Sequence, residues 1–173
     1  MKTNFLLLLS AFLLLSCNNQ TSTDKPATVK TSKKSKMVSP ESAFTNEQIS
    51  NLEYQIEAFK IGAEKLSDPE LKNYLSEHLP ELNQLLSEYK STAITNNIEI
   101  NSISNNDQEN LYKLAMADTK GFDNIFIMYY KDFLSKTINE IADHKIEDQH
   151  FYALKNKYGN ILYAHKLYFD VLK

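Results

Sequence analysis

Apolar side chains return every three or four positions over most of this chain, the spacing that puts them on one side of an α-helix. Ile49, Leu52, Ile56, Phe59, Ala63 and Leu66 form a first series. Its helix starts near Ser39-Pro40 or at Thr45, where Thr45-x-x-Gln48 has the form of a capping box. Asp68-Pro69-Glu70 ends this helix and opens the next, with Asp as the cap and Pro in the first turn. Leu71, Leu75, His78, Leu82, Leu85 and Tyr89 make the second series. Pro80 lies inside it and is expected to kink it, because its ring removes a backbone donor.

Residues 91 to 106 are rich in Asn, Ser and Thr and read as a loop from which Ile94, Ile98, Ile100 and Ile103 lean on the core. A short third helix is predicted from Asp107 to about Ala117, burying Leu111, Leu114 and Ala115. The fourth, about Thr119 to Asp143, is apolar on more than one face, the pattern of a central helix packed on two sides. The fifth, about 147 to 172, carries Phe151, Leu154, Tyr158, Ile161, His165, Tyr168 and Leu172. Strand-type alternation between turn residues is missing, and glycine is confined to Gly62, Gly121 and Gly159. The expected fold class is all-α: an up-down four-helix bundle with the short third helix in its central crossover.

The start of the chain follows a different pattern. Lys2 precedes an apolar run from Phe5 to Leu15. That run is too short to span a bilayer as a helix, which takes about 20 residues, but it fits the apolar region of a secretory signal. It ends in Leu14-Leu15-Ser16-Cys17, which resembles the bacterial lipobox, and Cys17 is the only cysteine. The resemblance implies cleavage before Cys17 and acylation of its thiol. Several acyl chains give stable anchoring, at about 0.8 kcal/mol per buried CH₂. Residues 1–16 are therefore expected to be a lipoprotein signal peptide. Residues 17–44, rich in Asn, Thr, Ser, Lys and Pro, are expected to be a disordered, flexible tether, since they bring too few apolar groups to offset chain ordering. Residues 45–173 are the helical domain. Asn18-Asn19-Gln20 carries no acidic residue beside the cysteine. By resemblance to envelope-sorting signals, this favours the outer membrane, with the domain facing the periplasm.

Charge narrows the partners. From Thr45 onward there are 20 acidic residues and 13 lysines, and the whole chain has no arginine. An acidic, exported domain without the residue that reads bases and phosphates in bidentate fashion argues against nucleic acid. The membrane, reached through the N-terminal lipid, is the expected partner; the residues do not specify a protein partner or small ligand.

Candidate chemistry centres on histidine. His78 and His165 fall on the apolar stripes of two different helices, where inward imidazoles are able to hold a transition metal. His144 and His150 lie near the last turn and read as exposed. A di-iron carboxylate bundle uses Glu-x-x-His, but here Leu75 precedes His78 and Leu162 precedes His165. Core histidines bonded to tyrosine or backbone are the plainer reading. Tyr129, Tyr130, Tyr158, Tyr163 and Tyr168 either line a ligand cavity or fill the core with their hydroxyls at its edge. There is no Gly-rich phosphate loop, serine elbow or zincin helix motif, and no catalytic residue or cofactor-binding motif is identified.

Leu66-Ser67-Asp68-Pro69-Glu70-Leu71-Lys72 with Leu75-Ser76-Glu77-His78 resembles the opening helices of the ferritin-like "domain of unknown function 4142" family. Gly121-Phe122-Asp123 with Phe126, and Leu162-Tyr163-Ala164-His165, resemble its later motifs. The resemblance spans roughly Ile49 to Leu172 and implies a ferritin-like bundle. The family's further histidine, about a dozen residues after Phe-Asp, is absent, and its first-helix glutamate falls near Gln55. If the family's histidines bind metal, two remain here. The expected function is a lipid-anchored, non-catalytic binding or interaction protein of the cell envelope. Its rivals are a metal-binding or redox protein using His78 and His165, and a small-ligand carrier with an aromatic-lined cavity.

Overall fold

The computed structural model describes residues 39–101 and 103–172. Cys17, the leader and most of the tether lie outside them. The described residues form five helices and no strand: α1 (Pro40–Lys65), α2 (Pro69–Thr95), α3 (Asn105–Met116), α4 (Phe122–Asp143) and α5 (Gln149–Asp170). Among them, no helix is long and apolar enough to cross a membrane.

The helix starts follow local chemistry. Ser39 caps α1 by accepting from the Ser42 amide at 3.1 Å, with Pro40 in the first turn. The helix thus begins at Pro40, and residues 40–44, assigned to the tether from sequence, are helical. Phe44 is fully buried. Thr45 is also buried, inside the helix, and is not its cap. Asp68 caps α2 and Asp148 caps α5, each accepting two backbone N–H groups, and Ser104 caps α3, accepting one. At α4 the cap position is Gly121, at φ 81°, a left-handed backbone that a side chain would strain.

Helix α2 runs unbroken through Pro80, which sits on its exposed side. It also continues to Thr95, further than the Asn/Ser-rich composition indicated. That extension turns Ile94 outward, and Ile100 is likewise exposed; only Ile98 and Ile103 lean on the core. Ala115 is exposed too, leaving Leu114 as the buried residue of α3.

Helix α1, not α4, occupies the middle. It packs against α2, α3 and α4, and 12 of its residues are buried against 7 in α4. The apolar stripe understated this, because α1 buries Thr45, Gln48, Asn51 and Gln55 among its Ile, Leu and Phe residues. Gly62 permits a close approach: a Cβ there would lie 2.6 Å from Leu75 Cδ1 and 2.7 Å from Phe126 Cε2. Helix α5 lies against α4 and α2.

Two ties hold the ends. The Asp123 carboxylate, in the first turn of α4, accepts from the Ser67 amide (2.8 Å), the Ser67 hydroxyl (2.6 Å) and the Asp68 amide (3.0 Å). Burial works against its charge, but these bonds outweigh burial and hold the carboxyl below its ordinary range. Lys65 donates to the Ala115 and Ala117 carbonyls at the end of α3.

Candidate functional site

The sequence places His165 on the inward stripe of α5, and there its ring has no solvent exposure. Phe59 of α1 stacks on it, with centroids 5.4 Å apart. Its Nδ1 lies 2.6 Å from the Tyr130 hydroxyl of α4 and 3.2 Å from Gln55 Nε2 of α1. Gln55 Nε2 donates to the Tyr130 oxygen at 2.5 Å, and the Tyr158 hydroxyl donates to Gln55 Oε1 at 3.1 Å. One buried amide therefore ties together side chains from α4 and α5.

Two proton arrangements run along this chain. As oriented, Tyr130 donates to Nδ1, and His165 carries its proton on Nε2. Turning the Gln55 amide over reverses the sense: Tyr130 donates to Gln55, Nδ1–H donates to Tyr130, and Nε2 becomes a bare lone pair. In both, Nε2 is buried without a protein partner. Burial, then the neighbouring His78, pushes the His165 imidazolium down to about 3, so the ring is neutral at physiological pH. Burial raises the Tyr130 and Tyr158 phenols well above their usual value, so both stay protonated.

His78 of α2 is the other half of this corner. Its ring centroid is 5.0 Å from that of His165, the planes nearly perpendicular. The half-buried His78 has Nδ1 2.8 Å from the Tyr74 carbonyl one turn back. A carbonyl only accepts, so Nδ1 holds the proton and Nε2 keeps its lone pair. Tyr74 stacks on the His78 ring at 4.2 Å and on Tyr168 at 3.6 Å, closing the corner with apolar faces.

The structure thus brings His78 and His165 together. Among the described residues, no group of three or more His, Cys, Asp and Glu side chains stands ready for a metal. Glu77, Glu81 and Asp132 are exposed. His144, expected to be exposed, is half-buried, 2.7 Å from the Glu47 carboxylate and edge-on to Phe44. His150 is exposed, as expected, with Nε2 3.1 Å from Thr92 Oγ1. The tyrosines divide: Tyr130 and Tyr158 are buried, Tyr129 and Tyr168 half-buried, and Tyr163 is exposed. The space between Tyr54, Ala58, Leu114, Phe126, Tyr129 and Tyr130 has no room for a water molecule, so these side chains fill it.

Sequence reasoning did not assign Gln55 a role, although its position was a signal: it lies three residues after Leu52 and four before Phe59, on the buried face. It also missed a second polar zone. One heptad earlier on α1, Gln48 is fully buried with both amide atoms unpartnered. The buried Thr45 and Thr137 hydroxyls, Asn51 Nδ2 and the Tyr89 hydroxyl also lack partners. Comparison with protein-family models, curated proteins and solved structures gives no match to this chain.

Proposed function

We propose that this protein is a lipid-anchored, non-catalytic binding module of the bacterial cell envelope. Its helical domain is tethered through acylated Cys17 to the outer membrane and faces the periplasm. In this reading α1, α2, α4 and α5 are the long helices of an up-down, ferritin-like four-helix bundle, with α3 in the central crossover. The observation that carries the anchoring is the only cysteine, standing at the end of an apolar run of lipobox form. The chemistry of the buried network favours binding over catalysis. An imidazole with its basicity pushed down to about 3 is a poor general base at neutral pH, and phenols held protonated are poor nucleophiles.

Intact-mass spectrometry of the protein isolated from a bacterial envelope tests the anchor. The expected product begins at residue 17 and carries a diacylglycerol-sized addition there, and Cys17→Ser retains its leader and loses the addition. An unmodified thiol on the mature product defeats the proposal.

A further inference from the structure

Helix α5 buries one side against α4 and α2. A helix so placed ordinarily turns charged residues outward. This one does not. Tyr152, Tyr163 and Leu167 on α5, with Val171 at its C-cap, are four of the nine large apolar or aromatic side chains exposed among the described residues. Leu167 and Val171 are 73% and 77% exposed. Asp170 is the only carboxylate or lysine among the exposed positions of α5, whereas those of α2 carry Glu70, Glu77 and Glu81. At about 100° per residue, Tyr152, Asn156, Tyr163 and Leu167 share one stripe, which runs roughly 28 Å to Val171.

Charge indicates what covers this stripe. Helix α5 holds three lysines against one aspartate, while each of the other four helices has more acidic residues than lysines. Lys155 lies on the edge of the stripe that faces α4, beside a groove of about 150 Å³ lined also by Ile138, Ile141, Gly159 and Tyr163. Helical geometry puts Lys166 on the same edge. Lys155 Nζ donates to the His144 carbonyl, which leaves its charge uncompensated, and Lys166 reaches Asp170 at 2.7 Å in a pair open to solvent. Tyrosine and aliphatic side chains edged by lysine suit the headgroup layer of a bilayer, where the phenol settles at the interface and the ammonium meets phosphate.

We propose that the outward face of α5 rests on an anionic phospholipid surface. This inference rests on the lipid-anchored reading and adds a second contact to it. Cys17 stands 22 residues before Ser39, a link of at most about 75 Å when fully extended. Such a link keeps the domain at high local concentration beside the bilayer, so a weak patch suffices. The acidic remainder of the domain is repelled by the same surface, which turns α5 toward it. A second copy is the poorer occupant, because a helix face of roughly 28 by 10 Å falls well short of the ~800 Å² per partner of a stable interface.

The chain has no tryptophan, so Leu167→Trp, at an exposed position, supplies a single indole reporter. The acylated mature protein is reconstituted in phosphatidylethanolamine vesicles containing phosphatidylglycerol, with or without bromine on the acyl chains. The Leu167→Trp emission should shift to the blue and lose about half or more of its intensity to the brominated lipid. Tyr112→Trp on α3, also exposed, should show neither effect. Lys155→Gln with Lys166→Gln should cut the quenching of Leu167→Trp at least about two-fold, and so should phosphatidylcholine in place of phosphatidylglycerol, with circular dichroism checking each fold. Equal quenching of the two reporters, or none of Leu167→Trp, overturns the inference. So does a blue shift that follows protein concentration without bromine quenching, the result expected of a second copy. Intact mass of the same sample keeps the two proposals apart. Acylated protein with an unquenched reporter removes the α5 contact alone; an unacylated thiol removes the anchor, and quenching by vesicles added in excess then decides the α5 face by itself.

Discussion

Gln48 and Gln55 lie one heptad apart on the same helix, equally buried, in opposite circumstances. Gln55 is engaged at both amide atoms, with Tyr130, Tyr158 and His165 around it. Gln48 is engaged at neither. The same residue type in the same core thus contributes with opposite sign. A satisfied buried network restricts how α1, α4 and α5 can pack, whereas an unsatisfied amide carries a desolvation cost with no bond to offset it. The region around Gln55 specifies an arrangement, and the region around Gln48 forgoes stability.

The sharpest test is Gln55→Leu. It strands the Tyr158 hydroxyl and weakens the Tyr130–His165 pair, and should cost on the order of 3–4 kcal/mol in urea unfolding. A loss no greater than that of an exposed glutamine would erase the contrast.

Acid comes next. Folded His165 stays neutral down to about pH 3, while the unfolded imidazole takes up its proton near 6.5. Unfolding therefore binds a proton below 6.5, and stability falls as pH falls through the window from 6.5 to 3, by about 3 kcal/mol at pH 4. The carboxylate of Asp123, lowered in the fold, adds its own loss only below the ordinary carboxylate range. A folded-state NMR titration showing His165 protonating near 6.5 would break this expectation. Tyr130→Phe, by removing one bond to Nδ1, should cost about 1–2 kcal/mol by the same urea measurement.

The smallest effect has the opposite sign. Gln48→Leu removes two unpartnered atoms at similar volume and should leave stability unchanged or raise it by up to about 1 kcal/mol. A loss above about 2 kcal/mol would mean that Gln48 has partners, ordered water among them, and that the two regions are alike.

What could be read in advance follows the range of each interaction. Helices whose buried face is apolar and whose caps are local were legible: Asp68 stands where α2 begins, and His165 lies on the buried stripe of α5, while His78 is only half-buried on α2. Helix α1 was underread, because a periodicity built on apolar residues counts Thr45, Gln48 and Gln55 as outside. That His78 and His165 meet depends on the packing of α2 against α5, and that Glu47 pairs with His144 depends on residues 97 apart. Composition also misled at Ile94, where Asn- and Ser-rich sequence still continued a helix.

The bonds from Ser67 and Asp68 to Asp123 bear on how the domain comes apart. The α1–α2 pair is joined by a three-residue turn and is the most extensive packing in the fold, so on its own it could persist while the C-terminal helices detach. Fastening that turn to the first residues of α4 makes release of one half loosen the other. Amide hydrogens at Ser67 and in the first turn of α4 should therefore exchange through a shared opening. Losing the carboxylate would divide one cooperative melt into two.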